Sequence, residues 1–166
     1  MYKAILALGL FVTSNLYAAS GTCTIEGSAS IGSLDLEISG CKVIGVGKKS
    51  GGFYEGSFYV PVDGLDAGFI PLRTRHMKSK KFLDAENYKT ITLDLNKVKI
   101  GKDQSFTGTI KIKGISKPVS GKINFSGETA SARFEVNTRD FNIPEMSHLG
   151  ITLKEKMSVE VYLSSL

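Results

Sequence analysis

The sequence predicts an all-β protein of about eight short antiparallel strands, closed as a barrel or stacked as a sandwich, with one short helix over about residues 71–82. Three observations carry this. Apolar and polar residues alternate with period two in run after run. Glycine pairs and polar clusters fall between the runs at hairpin spacing. One cationic stretch, RTRHMKSKKF at 73–82, breaks the alternation.

The first 20 residues, MYKAILALGLFVTSNLYAAS, have the form of a secretory signal: Lys3, an apolar and glycine run from Ala4 to Val12, then small residues. A signal peptide over 1–19 is expected, with cleavage near Ala18–Ser20 and a single domain over 20–166. The apolar run falls short of the ~20 residues that span a bilayer. Export also colours the two cysteines, Cys23 and Cys41. In an oxidising compartment an isolated pair favours a disulfide over two free thiols. Such a link stabilises the fold by about 3 kcal/mol in the chain-entropy picture.

The alternation begins with Leu34, Leu36 and Ile38, then Phe58, Val60 and Val62, then Ile91, Leu93 and Leu95. It slips phase near Asn96 and Lys97, since Val98 and Ile100 fall on the other parity, as a β-bulge would require. Ile110 and Ile112 follow, then Val119 to Phe125, Phe134 and Val136, and last Met157, Val159, Val161 and Leu163. One dry and one wet face per strand is the pattern of antiparallel sheets.

In the cationic stretch, Pro71 suits a first helical turn, and no glycine or proline interrupts Leu72 to Phe82. Helical spacing puts Phe69, Leu72, His76 and Lys80 on one side with Met77 adjacent. His76 is therefore expected to face the apolar body, with Lys78 and Lys81 reaching outward. Arg139 and Asp140 read as an ion pair closing a strand end.

RTRHM at 73–77 with KFLDAENYKTITL at 81–93 resembles the arginine-x-x-histidine helix and tyrosine-led strand of the YceI-like, polyisoprenoid-binding family. IKGISKPVSGKINF at 112–125 and FEVNTRDFNI at 134–143 resemble its lysine-proline-valine hairpin and its late arginine and aspartate-phenylalanine signature. The resemblance implies an eight-stranded antiparallel lipocalin-like β-barrel. It implies a slim amphiphile inside: a polyprenyl chain, a quinone or a similar lipid. The implied ligand-binding set joins Arg73, His76 and Met77 to the inward apolar residues. Those are Phe58, Val60, Ile91, Leu93, Ile110, Ile112, Phe125, Phe134, Val136, Val159 and Val161. Periodicity alone does not say whether these residues fill the barrel or line a void.

Net charge is +5, mildly basic, and no aromatic interrupts the cationic run before Phe82, which disfavours single-stranded nucleic acid. GVGKKSGG at 45–52 resembles a phosphate loop only faintly, and its spacing misses both nucleotide fingerprints. No G-x-S-x-G elbow occurs, and the cysteines and histidines lack metal-ligand spacing. The expectation is an exported, non-catalytic lipid-binding protein without catalytic residues, metal or cofactor, apart from a bound isoprenoid lipid or quinone. The alternative is an envelope stress or interaction protein with a filled barrel and a basic surface. Transient contact with a membrane surface and a homodimer stay open as partners.

Overall fold

Chain reversal is built into the turns. At Lys113 and Gly114 both residues take positive φ between directly paired Ile112 and Ile115, the two-residue hairpin geometry that follows sheet twist. Comparable tight turns lie at Gly51–Gly52 and at Gly127. The computed structural model describes residues 16–29, 36–68, 70–145, 147–148 and 151–166. Most of the expected leader, and Leu34 of the first expected alternation, lie outside the described residues.

The strands run in chain order: β1 Leu16–Ala29, β2 Leu36–Ser50, β3 Phe53–Pro61, β4 Thr90–Lys99, β5 Gln104–Ile112, β6 Ile115–Ser126 and β7 Thr129–Asn137. The two-residue β8, Ser147–His148, extends the last strand, β9 Ile151–Ser165. Each of β1 to β7 pairs antiparallel with its sequence neighbour, β7 pairs with β9, and β9 returns to β1. Eight strands therefore close on themselves as one barrel. The architecture is an eight-stranded antiparallel barrel with one helical segment.

The phase slip has the expected cause. Tyr54 pairs with Val98 and Gly56 with Leu95, so β4 carries one residue more than β3 at Asn96–Lys97. That bulge lets Leu95 and Val98 both point inward, and both are buried.

The barrel has a closed end and a covered end. At the closed end the Tyr54 ring packs against Phe125 at 5.7 Å and Phe58 at 6.3 Å between centroids. Gly47 makes this possible, because a Cβ there would collide with the Tyr54 hydroxyl. Across the other end runs the crossover from β3 to β4. Its first part is tied to β2 by a backbone bridge between Ser39 and Asp66, at 2.8 and 2.9 Å. Leu65 and Ala67 are buried beneath it.

Helix α1, Pro71–Lys78, lies within this crossover. Thr74 accepts the Ala67 N–H at 3.0 Å and donates to the Asp66 carboxylate at 2.7 Å, fastening the helix to the preceding loop. The helix is shorter than the expected 71–82. Ser79 turns extended, its N–H and hydroxyl both reach the His76 carbonyl, and Leu83 N–H returns to the Met77 carbonyl. The chain then coils tightly around Asp84, which is buried and accepts the Asn87 amide at 3.0 Å.

Candidate functional site: an apolar cavity beneath a cationic lid

The inward faces of the strands do not meet. Between the closed end and the crossover lies a cavity of about 170 Å³ with an almost wholly apolar lining. Of the expected set, Phe58, Val60, Met77, Ile91, Leu93, Ile110, Ile112, Phe134, Val136, Val159 and Val161 line it. Phe125 does not; it sits deeper, against Tyr54, as part of the floor. Phe106 and Phe134 meet edge to face at 5.9 Å in the wall.

Arg73 and His76 are not among the lining residues, and both are exposed. The helix is rotated from the expected phase. Met77 is the residue it buries, and a turn of roughly 100° per residue carries His76 away from that side. Leu72, expected to share the inner side with His76, is exposed as well. From the crossover the cavity receives Leu65, Met77, Phe82 and Leu83 instead.

Residues that periodicity did not single out complete the lining. Cys23 and Cys41 stand directly opposite each other on β1 and β2, with Cα atoms 5.1 Å apart, and form a disulfide on the cavity wall. Near the covered end, Thr138, Glu145 and Lys154 bring polar groups to the lining. Glu145 is held by Arg139, which bonds it at 3.1 Å and also pairs with Glu155 on β9. The expected partner of Arg139, Asp140, does not take this role: it sits exposed in the 3₁₀ turn Thr138–Phe141, while the carboxylates of Glu145 and Glu155 converge on the guanidinium. The turn ends at Asn142 in the left-handed conformation.

Among the described residues no group of three or more His, Cys, Asp or Glu side chains is placed to hold a metal ion, and both cysteines are committed to the disulfide. His148 lies in β8; its side chain is outside the description.

A closed antiparallel barrel with an apolar chamber, floored by aromatics and lidded by a helix-bearing crossover, defines a protein able to take up a hydrophobic ligand. The model of the YceI-like domain matches residues 11–164, and the chain belongs to the YceI-like family. Solved structures agree on the fold. BcnA of Burkholderia cenocepacia superposes with a TM-score of 0.67 at 15% identity, covering 85% of this chain and 94% of its own. A polyisoprenoid-binding domain from Saccharophagus degradans, implicated in plant cell wall breakdown, gives 0.61 at 10% identity, covering 90% and 97%. The Campylobacter jejuni YCEI protein gives 0.55 at 16% identity, covering 68% and 72%. No curated protein matches the chain.

Proposed function

We propose that this protein is an exported, non-catalytic carrier or sequestering protein for an amphiphile with an isoprenoid-type tail, such as a polyprenyl lipid or a quinone. The observation that carries the reading is the cavity: apolar walls with polar groups confined to the covered end. A hydrocarbon tail would enter the wall region, and a polar head would stay near Thr138, Glu145 and Lys154. The likeness to a polyisoprenoid-binding domain supports this choice of tail. The signal-like leader and the Cys23–Cys41 disulfide support export.

Volume limits the affinity. An engineered apolar cavity of roughly 150 Å³ takes up one benzene. The 170 Å³ chamber thus accommodates a piece of chain near one five-carbon prenyl unit. At about 0.8 kcal/mol per buried methylene, one unit contributes roughly 4 kcal/mol, which corresponds to a millimolar complex. Tighter binding requires the chamber to widen. Met77 and Met157 line it, and methionine side chains re-pack readily, so they are the residues proposed to yield.

The test is to purify the protein from membrane-bearing cells and identify extracted lipid by mass spectrometry. An isoprenoid-tailed amphiphile at near-stoichiometric yield is expected. Empty protein that also fails to take up a ten-carbon prenyl alcohol would remove the carrier reading.

A further inference from the structure

We propose that the outward face of α1 is a landing surface for an anionic lipid bilayer, so that the lid over the cavity is also the part that touches the membrane. This rests on the reading of the barrel as an amphiphile binder and adds where its lipid is exchanged.

Leu72 and Arg75, at i and i+3, occupy the side of the helix away from buried Met77, while exposed His76 lies between the two sides with its ring 6.5 Å from that of Phe82. Leu72 is 55% exposed and its neighbour Ile70 is 37% exposed. A lone exposed apolar residue needs no explanation. Here two sit together at the head of a cationic helix. Between Gly68 and Leu83 the chain has five cations and no acidic residue. The nearest carboxylates are partly occupied: Asp66 is bonded to Thr74 and Asp84 is buried against Asn87, leaving Asp63 and Glu86 exposed at the flanks.

Part of the charge on the barrel wall is neutralised in pairs. Lys48 pairs with Glu55, Arg133 with Glu160, Lys156 with Glu135, and Arg139 with two glutamates. Among the described residues Arg73, Arg75 and Lys80 make no ion pair, and Lys78 turns aside to the Asp63 carbonyl at 2.6 Å. Lys113, from the adjacent β5–β6 turn, reaches the Lys81 carbonyl at 3.2 Å and adds its charge to the same end. Exposed leucine and isoleucine beside unpaired cations are the two ingredients of an interfacial surface: apolar insertion and attraction to anionic headgroups. Residues immediately behind this face, Met77, Phe82 and Leu83, line the cavity. Docking there would put the cavity cover against the lipid source.

The experiment is co-sedimentation with vesicles of phosphatidylcholine alone and with one-third phosphatidylglycerol, at low and at physiological salt. Binding to the anionic vesicles only, weakening with salt, is expected. Each surface cation contributes about fivefold to such binding, so the double variant Arg75→Glu/Lys80→Glu should lose well over tenfold. Leu72→Ser should lose several-fold at unchanged charge. The pair Lys99→Glu/Lys102→Glu, at the closed end, alters net charge equally and should change binding little. No sedimentation with anionic vesicles, equal loss from the two charge pairs, or full binding by Leu72→Ser would each overturn the proposal. All substituted positions are exposed, and circular dichroism is to check that each variant folds. Lipid extraction on the same preparations separates the two readings. Protein that yields lipid but ignores vesicles overturns the landing surface and leaves the carrier standing. Protein that binds vesicles through α1 yet never holds a tail supports the surface and removes the carrier.

Discussion

The Tyr54 hydroxyl is buried with no hydrogen-bond partner among the described residues, and desolvation pushes its pKa from 10.0 to about 12. Leaving such a group unsatisfied costs about 1–3 kcal/mol. The ring compensates by filling the closed end of the barrel, stacked on Phe58 and tilted against Phe125 in the space Gly47 leaves. Tyr54→Phe keeps the ring and removes the orphaned oxygen, so it should stabilise the protein by about 1 kcal/mol. The pH dependence has a definite sign. Because the folded pKa is raised, the native state holds its proton after the unfolded chain has lost it, and stability falls as pH rises from about 10 through about 12. Urea midpoints at pH 8 and pH 11 check this. The wild type should lose more between the two than Tyr54→Phe, and parallel losses would contradict the assignment. Tyr54 illustrates what alternation conveys and what it omits. Phe58 and Val60 were legible as inward residues because large apolar groups recur at every second place. Gly47, Cys23 and Ala132 are also inward, but small side chains leave no hydrophobic signal, and they are where the wall makes room.

At the scale of elements, strands were read more readily than the helix, for a physical reason. A strand has only two faces, so one phase error is visible, as at Asn96–Lys97, where an extra residue keeps Leu95 and Val98 on the same side. An eight-residue helix offers little periodicity to fit, and α1 buries one apolar residue, Met77, with Leu72 left outside. Its inner face is set by the Thr74–Asp66 and Lys78–Asp63 tethers, which are tertiary contacts. Strand β1 escaped the reading for a related cause: Gly21, Cys23 and Gly27 lie inward along it, and Gly27 leaves room for the Met157 sulfur. What β1 lacks in bulk, its disulfide partly replaces. The cross-link joins it to β2 at Cys23–Cys41, close to where the pairing register shifts before Ile25. The double substitution Cys23→Ala/Cys41→Ala should cost about 3 kcal/mol, the loop-closure value for an 18-residue separation. Wild type unfolded in reductant should show a similar drop in urea midpoint. A loss below about 1 kcal/mol in both would mean that strand pairing alone holds β1.

For the whole molecule, the family motifs brought closure of the barrel within reach, whereas hollowness was beyond any pattern of residues. An alternating strand reads the same whether its side chains meet a partner or a void. The void follows from sums across the barrel: glycines and alanine on β1, β2 and β7 set against a fixed circumference of eight strands. That arithmetic also names the substitution that should close it. Ala132 lines the cavity and is paired with Val161 and Ile123, both inward. Ala132→Phe adds a phenyl ring, close to the benzene that a chamber of this volume takes up. If the chamber is the binding site, the variant should fold, keep or slightly raise its melting temperature, and bind a ten-carbon prenyl alcohol at least tenfold more weakly. Isothermal calorimetry on both proteins measures the affinity. In the wild type, apolar burial should appear as a negative heat-capacity change on binding, and in the variant that signature should vanish with the affinity. Undiminished binding with the ring in place would mean that the amphiphile lies outside the barrel, and the aromatic floor and the methionines of the wall would then have only a packing role.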